Sequence, residues 1–259
     1  MVGKIMGTKQ TGFEITGTDL KFIAVITMLI DHMGVALVAN MIRQGIEPFS
    51  FIAATDLYHV MRYIGRMAFP IYCYMLVEGF LHTHNIKKYG LRLLLVALIS
   101  EIPFNLVSRS TLFTFERNNV LWELLVGLIV LYVTSEIEKK PIDTKLIYVS
   151  KILVLLAGML FAYLTNLDYG PGGICCIAVM YAWRGNGTKM DRLISFATGV
   201  AVLAVCDGSI EAWAFLMLIP MYFYEGNRGL DNKALRLFFY LFYPVHLLIL
   251  GLIANLFIL

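Results

Sequence analysis

The stretch from Lys21 to Ala39 reads KFIAVITMLIDHMGVALVA. It is apolar enough and long enough to cross a bilayer, because roughly 20 residues at ~1.5 Å each span the ~30 Å hydrocarbon core. Asp31 and His32 nevertheless stand in its middle. An ionisable group at that depth costs a few kcal/mol, so such residues are functional candidates by default. The plain alternative is a polar contact that pins one helix to another, but two adjacent ionisable groups incur the cost twice. Consecutive residues of a helix point about 100° apart, so Asp31 cannot orient the His32 ring as the acid of a triad would. Asp31 is expected to pair with a cation on a neighbouring helix, Arg66 being the best placed. His32 is then free to face a cavity, with Glu101 as a carboxylate that could orient it.

Composition carries the same reading to the whole chain. Its 259 residues are 59% hydrophobic and 15% charged, where soluble domains carry ~25% charged residues. An all-α polytopic bundle in the cell membrane is expected, with residues 1–18 as a cytoplasmic tail and residues 19–259 as a single transmembrane domain. Apolar runs place about nine spans, near 21–39, 59–81, 89–107, 119–135, 146–165, from the NLDYGPGG turn to 183, 193–206, 210–224 and 235–259. Residues 40–58 read as a loop with an interfacial piece around Phe49–Ala54. No cleavable signal segment is expected before the first span. Lys and Arg concentrate in alternate connections, as at Lys87, Lys88 and Arg92, at Lys139, Lys140 and Lys145, and at Arg184, Lys189 and Arg192. The positive-inside rule then puts the N-terminus in the cytoplasm and the C-terminus outside. The small net charge of +3 does not suggest a nucleic-acid partner. Cys73, Cys175, Cys176 and Cys206 lie in apolar runs without metal-site spacing, and no metal is expected.

Further charges sit inside the spans. Arg62, Arg66, Pro70, Tyr74, Glu78 and His82 recur every four residues, a slowly winding polar stripe. Pro70 can kink this helix and free a carbonyl. Arg66 can be read as snorkelling outward, and His84 as a solvated interfacial group. Glu101 and Asn105 lie one turn apart in LISEIPFNLV, and Glu123 lies just inside the fourth span. Lys151 reads as a snorkelling residue without a role. His246, ten residues from Arg236, reaches the same mid-membrane level as His32, eleven residues from Lys21.

The segments LKFIAVITMLIDHMG, RYIGRMAFPIYCYMLVEGFLHT, YGLRLLLVALISEIPFNL and NNVLWELLVGL resemble the TraX family of integral membrane proteins. The GPGG turn at Gly170 and the terminal YPVHLLIL are similar too. The resemblance implies an acetyltransferase, since the family's named member is associated with acetylation of pilin, and a distant likeness to membrane-bound acyltransferases. It implies acetyl-CoA as donor and a peptide or glycan as acceptor, with His32 as general base supported by Asp31, Arg66 and Glu101. Arg66 or Asn105 would stabilise the oxyanion. Lys88 and Arg92, with Glu78, His82 and His246, would hold the donor. The rival expectation is a proton-coupled solute transporter using Asp31, His32, Arg66 and Glu101. A non-catalytic scaffold, in which the charges only hold helices together, is the third.

The expected orientation is testable with single cysteines at Gln44 and Thr144. They should react with impermeant thiol reagents from opposite sides of the membrane, and labelling of both from one side would refute it.

Overall fold

A computed structural model describes residues 13–47, 49, 52–109 and 111–258. The first twelve residues of the expected tail, and Ser50 and Phe51 of the expected interfacial piece, lie outside the described residues. The described chain is helical: α1 Gly17–Arg43, α2 Ala54–Gly65, α3 Ala68–His82, α4 Ile86–Arg109, α5 Val120–Glu138, α6 Thr144–Leu164, α7 Gly170–Ala182, α8 Lys189–Cys206, α9 Ser209–Tyr222 and α10 Lys233–Ile253. No β-strand occurs among the described residues, only isolated bridges Ile15 to Tyr224 and Asn118 to Leu167.

The count of about nine spans is corrected. Five described helices, α1, α4, α5, α6 and α10, are long and apolar enough to cross a membrane. The expected second span is broken at Arg66–Met67 into α2 and α3. Pro70 supplies the reason: it has no N–H to give the carbonyl four residues back, that of Arg66, and its ring crowds that carbonyl. The 15 residues of α3 reach only about 22 Å at 1.5 Å per residue. α7 has 13 residues. α8 spends its first turn on Lys189, Asp191 and Arg192, and α9 begins as a 3₁₀ helix over Ser209–Met217.

Helix ends follow local chemistry. Thr16 and Asp19 form a reciprocal capping box at the start of α1, which satisfies two otherwise orphaned backbone donors. Thr18 Oγ1 donates to the carbonyls of Arg228 and Leu230 at 3.0 and 2.8 Å, tying α1 to the loop before α10. Immediately after Asp31–His32, α1 widens into a π turn over Gly34–Val38, a device frequent at functional sites because it re-aims side chains.

The main core joins α3, α5, α7 and α8 through Ile71, Leu76, Leu131, Ile177, Met180, Phe196 and Leu203, all buried. α6 lies at its edge with Leu153, Leu156, Leu160 and Leu164 exposed, as suits a lipid-facing helix. α10 runs along α4 and also touches α1. A smaller cluster of Met28, Ala68, Phe104, Tyr243 and Leu247 fills the space between them. Lipid tails are as apolar as leucine, so such helices gain little from hydrophobic exclusion and depend on close approach and polar contacts. The GPGG turn shows this. Glu123 Oε2 accepts from the Tyr169 N–H at 3.1 Å, at the start of α7. A Cβ on Gly173 would lie 2.6 Å from Glu123 Oε1. Gly173→Ala should therefore cost about 1–3 kcal/mol by overpacking, seen as a lower Tm in detergent; an unchanged Tm would refute the packing argument.

Candidate functional site

Asp31 and His32 face different helices, as their angular separation requires. Asp31 is buried and accepts from two guanidinium groups, Arg62 Nη1 at 2.6 Å and Arg66 Nη2 at 3.1 Å. Arg66 Nη1 also reaches Glu211 Oε1 of α9 at 2.9 Å. The chain thus sets two carboxylates against two guanidiniums, arranged so that no charge stands alone. The close fit depends on Gly65, where any Cβ would collide with the Asp31 side chain.

His32 points instead toward α10. Its Nδ1 lies 2.7 Å from His246 Nε2, the rings stacked at 4.9 Å. His246 Nδ1 lies 2.6 Å from the carbonyl of Phe242. A carbonyl only accepts, so His246 Nδ1 carries the proton and, in the neutral ring, Nε2 is a lone pair. That lone pair takes the Nδ1–H of His32, which leaves His32 Nε2 as an acceptor. The second ring nitrogen of each histidine is set by the partner of the first.

Asp31, His32, Arg62 and Arg66 line a cavity of about 180 Å³. At one end stand Ser108, Arg117 and Asp168, and at the other Leu93, Val96 and Phe239. Arg117 Nε pairs with Asp168 Oδ1 at 2.7 Å, and its Nη2 donates to the Asp168 carbonyl at 2.9 Å. Burial raises the Asp168 carboxyl above its ordinary value, and the Arg117 guanidinium offsets part of that rise. Tyr169, stacked on Phe69 at 3.7 Å, has its phenol pushed up by burial.

The remaining candidates are not gathered there. Glu101 is buried elsewhere: Oε2 accepts from Trp122 Nε1 at 3.0 Å and from Asn119 Nδ2. It does not line the cavity, and His246 takes the place expected for it beside His32. Asn105 is fully buried, and its side chain has no hydrogen-bond partner among the described residues. The expected donor set is dispersed. Lys88 is exposed. Arg92 Nε donates to the Tyr240 hydroxyl at 3.1 Å. Glu78 and His82 line a separate cavity with Arg184 and Arg192, and His246 is buried against His32. Lys151 pairs with Glu138 at 2.7 Å. Sequence reasoning overlooked Glu211, although an acid in the apolar run SIEAWAFLMLIP is the same signal that singled out Asp31. No group of three or more potential metal ligands occurs among the described residues.

The chain belongs to the TraX family: the family model, described as TraX protein, matches residues 16–254. A curated relative from Dichelobacter nodosus, "Probable fimbrial assembly protein FimC, serogroup H1", is 28% identical over 251 residues, covering 92% of this chain and 95% of that protein. No solved structure matches the chain. The resemblance and the multi-pass membrane location are thereby borne out. The expectation of acetyl transfer from acetyl-CoA, and the alternative of a proton-coupled transporter, are corrected: the relative that matches almost end to end is described by fimbrial assembly.

Breaking a buried ion pair by removing one partner typically costs 3–5 kcal/mol, because the other charge is left uncompensated. Asp31→Asn and Arg66→Gln should each lower thermal stability strongly, and the double variant should lose less than their sum. Additive losses in a double-mutant cycle would show that the pair is not coupled.

Proposed function

We propose that this TraX family protein acts within the membrane in the assembly of fimbriae, through the cavity beside Asp31, Arg66 and His32. The observation that carries the reading is the likeness to the Dichelobacter nodosus fimbrial assembly protein over nearly the full length of both chains. Every element that lines the cavity falls within the matched family region, residues 16–254. The chemistry of the cavity supports a working role. Buried charges in a membrane segment are expensive, and a protein that needed only to hold helices together could use small residues and neutral hydrogen bonds instead. A histidine with a bare nitrogen beside two guanidiniums can accept a hydrogen bond or proton and orient an acidic or polar group.

The test is removal of the gene from its own host, with surface fimbriae counted by electron microscopy and complementation by the wild-type chain and by His32→Gln. Loss of fimbriae on deletion, rescue by wild type and failure of rescue by a His32→Gln protein present at normal level in the membrane are expected. Normal fimbriae after deletion would overturn the reading.

A further inference from the structure

A second cavity, of about 490 Å³, lies apart from the paired histidines, between the end of α3, the start of α8 and the loop after α9. Its charged lining is Glu78, Glu225, Arg184 and Arg192. It stands where helices leave the membrane. Arg184 reaches Glu138 at 3.4 Å, and Glu138 is the last residue of the span α5. Glu138 also pairs with Lys151, in the first turns of the span α6, at 2.7 Å. Leu81, 44% exposed, borders the cavity from the last turn of α3.

The charges there are balanced in sum and unevenly shared. Glu138 serves both Lys151 and Arg184, and Glu225 serves both Lys189 and Arg192, at 3.3 Å each. Each arginine therefore holds only part of a carboxylate, and Arg192 Nε is buried with no hydrogen-bond partner among the described residues. Glu78 is the converse case. Its carboxylate accepts from the Tyr74 hydroxyl at 3.4 Å and from that of Tyr224, and no cation stands within ion-pair distance of it among the described residues. His82 Nδ1 lies 2.8 Å from the Glu78 carbonyl, so Nδ1 carries the proton and Nε2 of the neutral ring can accept. With Asp191, which caps α8 behind the loop, the carboxylates are Glu78, Glu138, Asp191 and Glu225, and the cations that match them are Lys151, Arg184, Lys189 and Arg192. An anion alone would be set against Glu78, and a cation alone against the arginines. A zwitterion leaves the balance unchanged and meets both shortfalls. Its two charges need be only a short distance apart, because Arg192 lies 5.9 Å from the ring of Tyr224, whose hydroxyl meets Glu78.

We infer that this second cavity binds the phosphoethanolamine headgroup of a membrane phospholipid, its ammonium donating to Glu78 and its phosphate accepting from Arg184 and Arg192. A primary ammonium has three donors, for which Glu78, the two tyrosine oxygens and His82 Nε2 are acceptors, whereas a trimethylammonium has none. Guanidiniums meet phosphate oxygens with parallel hydrogen bonds. The phosphodiester carries one negative charge, so the headgroup is neutral overall, as the balance of the site requires. The position at the ends of α5 and α6, with Leu81 exposed beside it, is headgroup depth and favours a lipid over a soluble zwitterion. This site is separate from the cavity beside His32, and the inference does not rest on the assembly reading.

Native mass spectrometry of the purified full chain in detergent, with equal amounts of phosphatidylethanolamine, phosphatidylcholine and phosphatidylglycerol, tests this. One phosphatidylethanolamine should stay bound per chain, and the other two lipids should be retained about tenfold less, the loss expected when a hydrogen bond to a charged group is missing. That comparison needs no variant. Carbodiimide should then join the ethanolamine nitrogen to the Glu78 carboxyl as an amide, the reagent taking up the released water as its urea, and the peptide containing Glu78 should gain the mass of the lipid. Glu78→Gln, in a protein that keeps its gel-filtration profile, should lower retention of phosphatidylethanolamine by about the same factor. Equal retention of the three lipids, coupling at other carboxylates and not at Glu78, or undiminished retention by Glu78→Gln would overturn the inference. Displacement of the lipid by an equimolar amount of soluble glycerophosphoethanolamine would assign the cavity to a soluble zwitterion and overturn the lipid as its source.

Discussion

Asp31 bridges Arg62 and Arg66, and much of the molecule is arranged to let it do so. A carboxylate inside a membrane must be paired or neutralised, since effective desolvation costs several kcal/mol per ion. Here one carboxylate serves two guanidiniums, and Glu211 completes the second of them. The network draws α1, α2 and α9 to one point. Gly65 admits the Asp31 side chain at the crossing, and the helix is interrupted at Arg66–Met67, where the charges meet.

The same interruption explains why the bundle mixes long and short helices. Pro70 deprives the Arg66 carbonyl of its helical partner, so a stretch that is apolar enough to be read as one span becomes two. The short α7 is anchored by Glu123, whose carboxylate accepts the Tyr169 N–H. Non-helical backbone at membrane depth is tolerated only where protein or a cavity satisfies it, and these acidic side chains and the cavity beside them do that. From α10, His246 fixes the ring of His32 through a chain of hydrogen bonds ending on the Phe242 carbonyl.

The cavity is therefore bounded by the ion-paired Asp31, Arg62 and Arg66, by the His32 imidazole and by apolar residues, with His246 behind His32 and outside the lining. Its charges are pre-paired, so it can exist empty of ligand without leaving an isolated ion in the membrane. Likeness to a fimbrial assembly protein over almost the whole chain places this machinery in a family context.

The sequence by itself determined that the chain is a helical membrane protein, that Asp31 and His32 lie deep in its first span, and that they must face different ways. These follow from hydropathy, rise per residue and the 100° step, all local properties. The equal depths of His32 and His246 were legible for the same reason. Only the tertiary structure decided partners. Glu101 and Glu211 are both acids in apolar runs, yet Glu101 turns to Trp122 and Asn119 while Glu211 turns to Arg66. It also decided that His246, rather than a carboxylate, orients His32, and that Glu78 and His82 belong to a separate cavity. Depth along a helix is set by counting residues, but the direction a side chain faces in the bundle depends on how neighbouring helices rotate and cross. That is fixed by packing between segments far apart in the chain, here residues 31, 66, 211 and 246.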